Sequence, residues 1–232
     1  MVEFIEYVIQ VVPKFMKYLP LTLEMALAAF LCGALIGLFL LWLEIGPGRR
    51  GGPARLFAVG YGIALRSVPS IILLFLIFYG PQSLFPKLGW GRLPKPVFAV
   101  ITFSLIYSAY FAQVFRGAYG SIDKGQLEAA LSMGLTHAQG ILRIVGPQAF
   151  IVALPNLGSM MVLIVSETSL AYLIGVRDLM GEVTTLNARS YNVKTVELYF
   201  VVTMIYWGAN AVIERFFGFA ERKLRQGRGN AP

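Results

Sequence analysis

MALAAFLCGALIGLFLLWL, residues 25–43, holds no charge and is bounded by Glu24 and Glu44. A helix needs about 20 mostly apolar residues to cross the hydrocarbon core of a bilayer, so this run can span one by itself. Further uncharged runs occupy 96–115, between Lys95 and Arg116, and 144–166, which continues past Glu167 to Val176. Another covers 198–213, between Glu197 and Glu214. Residues 56–80 are also long enough to span but carry Arg66 near the middle. The expectation is an all-α integral membrane protein with five transmembrane helices. Pro155-Asn156 and Gly158 interrupt the fourth span, which is expected to be bent or broken there.

Composition agrees. Of 232 residues, 57% are hydrophobic and only 14% charged, with a mean hydropathy of +0.68. About a quarter of an ordinary soluble domain is charged, so a soluble enzyme and a disordered chain are both excluded. The single Cys32 allows no intramolecular disulfide and no cysteine metal site. The net charge of +8 forms no continuous basic face, because Lys and Arg sit between apolar runs. That argues against nucleic acid and for the anionic head-group layer of a lipid bilayer.

Residues 1–20 are too interrupted to span. Val2, Ile5, Val8, Ile9, Val12, Phe15, Met16 and Leu19 recur at helical spacing among Glu3, Glu6, Lys14 and Lys17. This predicts an amphipathic interfacial helix, weakened at Pro13. Five spans put the termini on opposite sides. One side carries eleven Lys and Arg, including Arg49, Arg50 and Arg55 and the basic tail at 221–232, and the other carries eight. The positive-inside rule then places the N-terminus outside and the C-terminus in the cytoplasm. Residues 21–220 would form the transmembrane domain.

The longest polar connection, 116–149, reads RGAYGSIDKGQLEAALSMGLTHAQGILRIVGPQA and falls on the cytoplasmic side. A short helix is expected over 126–133, ending at Gly134, and a second over 136–145, stopped by Gly146-Pro147. The small Ala129, Ala130 and Gly134 permit close approach of another surface, and Glu128 offers a polar anchor. The loop reads as a helical hairpin on the membrane or as a docking element for a cytoplasmic partner.

Glu128-Ala129-Ala130, Gly134, Ile144 and Pro147 resemble the EAA motif of bacterial ATP-binding-cassette importer permeases, in order and in spacing. Gly146 replaces the apolar residue usual before the proline. The resemblance extends to the polar-amino-acid (histidine, glutamine, arginine, opine) branch through Thr22-Leu23, Arg66-Ser67-Val68-Pro69, Ala109-Tyr110, Arg116-Gly117 and Lys124-Gly125-Gln126-Leu127-Glu128. It continues through Pro147-Gln148-Ala149, Ala153-Leu154-Pro155, Thr168-Ser169-Leu170 and Ile174-Gly175. It implies two permease subunits forming one pathway and two cytoplasmic ATPase subunits, which bind ATP and Mg. An extracytoplasmic solute-binding protein would deliver a polar amino acid. Asp123, Lys124, Gly125, Gln126, Glu128, Ala129, Ala130 and Gly134 would form the ATPase-coupling segment in the inner membrane protein. The chain has no GxxxxGK[ST] phosphate loop and no HExxH or GxSxG motif, so it is not expected to be an enzyme or to hold a cofactor.

Ionisable groups inside spans cost about 2.5–3.5 kcal/mol at mid-membrane on insertion scales, which marks them as functional candidates. Arg66, beside Ser67, suits a bidentate contact with an amino-acid carboxylate, or an ion pair with Glu167. Glu167 lies in Ser166-Glu167-Thr168-Ser169, just after the interrupted stretch with Asn156 and Ser159. Its carboxylate suits a solute amino group or cationic side chain, giving a preference for cationic amino acids such as arginine or histidine. Tyr107, Ser108, Tyr110 and Gln113 stripe the third span and are candidates for the pathway wall. Compared with the resembling family, Ser166 replaces a Lys, Gln113 a Glu and Ser159 an Asn. These departures leave open a heterodimer in which the second subunit supplies the missing groups. A self-sufficient secondary transporter or channel would need coupling-ion sites and usually an inverted repeat, and no obvious repeat is present.

Overall fold

The structure, a computed structural model, describes residues 2–45 and 52–229, so Arg49, Arg50 and the last three residues of the basic tail lie outside the described residues. The described elements are helical. They are α1 (Val2–Met16), α2 (Leu19–Ile45), α3 (Pro53–Ser67), α4 (Ser70–Leu84), α5 (Lys95–Gly120), α6 (Lys124–Ser132), α7 (His137–Gly140), α8 (Gly146–Glu167), α9 (Leu179–Arg189) and α10 (Thr195–Gly229). A π-turn over Ile141–Val145 joins α7 to α8, and a 3-10 turn over Thr168–Ile174 follows α8.

Helices α2 and α5 form the most extensive packing in the molecule. Gly33 and Gly37 make it possible. A Cβ on Gly37 would lie 2.6 Å from Phe111 Cβ and 3.0 Å from the Ser108 carbonyl oxygen. One turn earlier, a Cβ on Gly33 would sit 3.2 Å from the Ser104 carbonyl oxygen. Small residues four apart let two backbones approach where lipid supplies no hydrophobic drive. Residue numbers rise together along both helices, down to the ion pair of Glu44 with Arg116, so α2 and α5 run parallel.

The intervening chain must therefore return from one end of the bundle to the other. It does so through α3 and α4, a pair bent by 104° at its break. Ala58 of α3 packs with Leu40 and Ala112, and Phe78 of α4 packs edge-on against Phe98 at the start of α5. The single span expected over 56–80 is thus two helices broken at Val68-Pro69. The cause is local: a residue before proline is driven out of the helical region, and Val68 is extended at φ −100°, ψ 130°. Among the described residues, four helical segments are long and apolar enough to cross a membrane, and the bent pair makes a fifth if counted as one crossing.

In α8, by contrast, the helix runs unbroken through Pro155, so the break expected there does not occur. One lost backbone hydrogen bond is a smaller cost than several carbonyls and N–H groups bared within the apolar layer. Gly158 serves packing instead: a Cβ there would come within 2.9 Å of Phe217 Cβ on α10. Nor does Gly146-Pro147 stop the preceding helix. Proline suits a first helical turn because it has no N–H to leave unpaired, while Gly146 N–H bonds to the Ile141 carbonyl through the wide π-turn.

Helix α1 passes through Pro13 and buries Val11 and Phe15 against Leu179, Val183, Leu198 and Val202 of α9 and α10. Ile5 and Ile9 stay exposed on its other side. Arg222, Lys223 and Arg225 continue α10 as helix.

Candidate solute pathway and docking loop

Arg66 sits on the last turn of α3, immediately before the break. Its Nε donates to the Gly62 carbonyl at 2.8 Å and its Nη1 to Oε1 of Gln113 on α5. The alternative ion pair with Glu167 is not formed; the ion pairs among the described residues are Arg116–Glu44, Arg177–Glu182, Lys194–Glu197 and Arg225–Glu221. Gln113 lines a cleft of about 610 Å³ between α5 and α8, with Tyr110 on one wall and Asn156 and Met160 on the other. Gln113 and Asn156 thus line one cleft, and Arg66 is tied to it through its bond to Gln113. Ser67 is exposed and donates to the Ile63 carbonyl.

Glu167, the last residue of α8, lies on a second level. Its Oε2 is buried and has no hydrogen-bond partner. Tyr107 is within its electrostatic reach, and the Tyr107 and Tyr110 rings, 5.8 Å apart, connect the two levels along α5. Ser108 does not share that stripe. It is fully buried and its hydroxyl faces α3, 2.8 Å from the Tyr61 hydroxyl. Ser159 and Ser166 are exposed and donate to the Pro155 and Val162 carbonyls. Thr168 is fully buried and donates to the Val165 carbonyl at 2.6 Å, facing protein, while Ser169 is half-buried.

The sequence reading missed a set of buried polar groups at the same end. Asp178 is fully buried and caps α9, accepting from Gly181 N–H at 2.9 Å. Burial pushes its carboxyl up to about 6, against the lowering effect of backbone N–H groups, Gly181 first, and of the nearby Thr22 hydroxyl. Tyr206 and Asn210, one turn apart on α10, each bury a polar atom with no hydrogen-bond partner. An Asp just ahead of the apolar pattern Leu179–Val183–Leu186 is a legible cap signal.

At the opposite end, Asp123 caps α6 by accepting from Gly125 N–H at 2.6 Å. The helix ends at Gly134, whose φ is +86°. Its N–H bonds to the Leu131 carbonyl, and Leu135 N–H to the Ala130 carbonyl, the paired bonds of a Schellman cap. Lys124, Gln126, Glu128 and Ala129 are exposed, whereas Ala130 turns inward. Leu127 and Ala130 rest on Gly140, where a Cβ would stand 2.8 Å from Leu127 Cδ1. The Glu-Ala-Ala triplet thus shows its first two residues to solvent and seats its third.

Residues 33–226 match the family described as "Binding-protein-dependent transport system inner membrane component". The chain belongs to this family. The permease is 36% identical over 217 residues to the L-cystine transport system permease protein TcyL of Bacillus subtilis, covering 93% of this chain and 89% of that protein. It is 33% identical over 214 residues to the histidine/lysine/arginine/ornithine transport system permease protein HisQ of Salmonella typhimurium, covering 87% and 92%. In structure it resembles an amino acid ABC transporter solved with histidines, at a TM-score of 0.79 and 27% identity over 93% of this chain and 96% of that one. The inward-facing MetNI methionine transporter shares the fold, with a TM-score of 0.70 at 18% identity over 90% and 95% of the two chains. The protein is accordingly a multi-pass inner-membrane permease subunit of the polar amino acid ABC transporters. It is not a catalytic enzyme, and ATP hydrolysis belongs to a partner.

Proposed function

We propose that this permease carries polar amino acids into the cytoplasm as half of a permease dimer, driven through α6 by a separate ATPase dimer that binds ATP and Mg. The observation that carries the reading is mechanical continuity. Helix α6 seats Leu127 and Ala130 on Gly140, and from α7 the chain passes through the π-turn into α8 without a break. A displacement of α6 by the ATPase is therefore delivered to the helix bearing Asn156 and Glu167. Asp123, Lys124, Gly125, Gln126, Glu128, Ala129, Ala130 and Gly134 form the coupling segment in this reading. The α6 end and the basic turns of α10 face the cytoplasm, and α1 lies at the outer interface. A solute-binding protein delivers at that outer end. Residues 1–20 act as an interfacial anchor, 21–220 as the permease domain and 221–232 as the cytoplasmic tail.

Within the pathway, Arg66 receives the solute carboxylate, exchanging its bond to the neutral Gln113 amide for a bidentate ion pair. Glu167, with its unpartnered buried oxygen, receives an amino group or cationic side chain, which favours solutes such as arginine or histidine. Ser67, Gln113, Asn156, Ser159, Ser166, Thr168 and Ser169 complete the candidate solute-binding set, Thr168 through its backbone position.

Glu128→Lys or Gly134→Asp should abolish co-purification with the ATPase while the permease stays in the membrane. An intact mutant complex, or uptake that proceeds without ATP, sinks the reading. In reconstituted vesicles, Glu167→Gln should reduce uptake of L-arginine and L-histidine more than uptake of L-cystine. Unchanged L-arginine uptake removes Glu167 as the cation partner.

A further inference from the structure

Behind the Glu167–Ser169 segment, four parts of the chain bring polar groups together in the interior. Thr22 of α2, Thr168 of the 3-10 turn and Asp178 at the cap of α9 are each fully buried. Tyr206 of α10 completes the group, with its hydroxyl close to those of Thr168 and Thr22 but in well-formed hydrogen bonds to neither. Every proton in this cluster can be followed. Thr22 donates to the Tyr18 carbonyl at 3.4 Å and accepts from Leu179 N–H at 3.2 Å. Thr168 spends its proton on the Val165 carbonyl. Asp178 Oδ1 accepts from Gly181 N–H, but Oδ2 is buried without a partner. With the carboxyl ionised and the Thr22 proton directed to Tyr18, Tyr206 O–H is, among the described residues, the side-chain donor left for the oxygens that Thr22, Thr168 and Asp178 present. A hydroxyl serves one acceptor at a time, and a buried acceptor left unmade is costly.

We propose that Asp178 and Tyr206 are positioning residues that hold the 3-10 turn Thr168–Ile174, and with it Glu167 and Ser169, in the geometry that receives the solute. The inference rests on the proposed solute role of that segment. Neither residue touches solute. Tyr206 grips Thr168 from α10, and Asp178 sets how far Tyr206 is drawn away toward α9. A proton on Asp178 supplies the missing donor and frees Tyr206 for Thr168. The titratable group facing Asp178 from another element is Tyr206; Arg177 and Glu182, its neighbours along the chain, pair with each other at 2.8 Å. Among the described residues, no charged side chain contributes to its titration. The folded carboxyl, at about 6, lies above the roughly 3.9 of a free one, so the folded chain binds the extra proton between these values. The contribution of Asp178 to stability is therefore full below about pH 4 and is lost as pH rises through about 6.

The test reads the turn itself. In the assembled transporter, with Cys32→Ser and Ser169→Cys, the rate of thiol modification reports the placement of the turn whatever the solute. Between about pH 5 and pH 7.5, with rates normalised to thiolate content, that rate should change severalfold in the parent. It should stay flat in Asp178→Asn, which keeps the cap oxygen and adds a permanent donor. Tyr206→Phe should shift it severalfold at both pH values. Without the Ser169→Cys change, Tyr206→Phe should raise the KM for L-arginine severalfold while kcat holds. A flat parent profile together with an unshifted Tyr206→Phe rate overturns the positioning role. If modification moves as expected but uptake does not respond to Tyr206→Phe or Glu167→Gln, positioning stands and the solute role of the segment falls.

Discussion

Two Arg–Glu pairs, one near each end of the bundle, look alike by exposure and differ in what they join. Glu44 is 6% exposed and its partner Arg116 47%; Glu182 is 4% exposed and its partner Arg177 48%. In each, a carboxylate is buried and the guanidinium keeps one side in solvent. Arg116 reaches across 72 positions from α5 to α2, whereas Arg177 reaches five positions along the chain, to the first turn of α9. The first ties two parallel helices at the end where α6 departs. The second tightens a single helix start, and its hydrogen bond to Glu182 raises the Arg177 pKa. The same chemistry is thus a tertiary clamp in one place and a local cap in the other.

Breaking the clamp should have the larger effect. Arg116→Met leaves Glu44 buried and unpaired, at roughly 3 kcal/mol, the low end for a buried pair because Arg116 is half in solvent. A lowered Tm of the purified permease and faster exchange of amides in both α2 and α5 would show it; loss confined to α5 would not. Arg177→Met should destabilise less, since Glu182 keeps the favourable N-terminal end of α9. Its signature should be faster amide exchange in α9 alone, and spread into α2 would erase the distinction between the two pairs. Smallest should be Lys194→Ala, which removes a partly exposed contact to Glu197 at 3.6 Å. Such pairs contribute about 0–1 kcal/mol and fade with salt, so wild type and variant should melt together in high salt.

Much of this was legible in the residues, for a physical reason. Lipid makes long apolar runs obligatory, so the helices at Leu19–Ile45, Lys95–Gly120 and Thr195–Gly229 show directly in the chain. Partnership between helices leaves no such trace. Glu24 and Glu44 bound the same run and read alike, yet one is exposed and the other is buried against Arg116. Prolines were equally ambiguous. Pro69 ends a helix, Pro13 and Pro155 lie inside one, and Pro147 opens one behind a π-turn. The outcome depends on what the missing N–H would have bonded and on what surrounds the carbonyl it leaves free, and neither is written locally. Arg66, Gln113 and Asn156 were all expected in the pathway; Gln113 and Asn156 line one cleft, and Arg66 bonds to Gln113. Arg66 and Glu167, the pair the sequence made most tempting, stand on separate levels. Asp178 and Tyr206 escaped notice because single polar residues gain meaning only when folding brings four segments together.

The glycine-lined contact between α2 and α5 also sets an order of events at synthesis. Gly37 meets its partners near Ser108, some seventy residues further along the chain. At roughly 5–20 residues per second, α2 must wait on the order of several seconds in the bilayer before α5 has been made. Through that interval its Gly33–Gly37 face is open to any other helix in the membrane, so the newborn permease depends on whatever shields that face until its own later segment arrives.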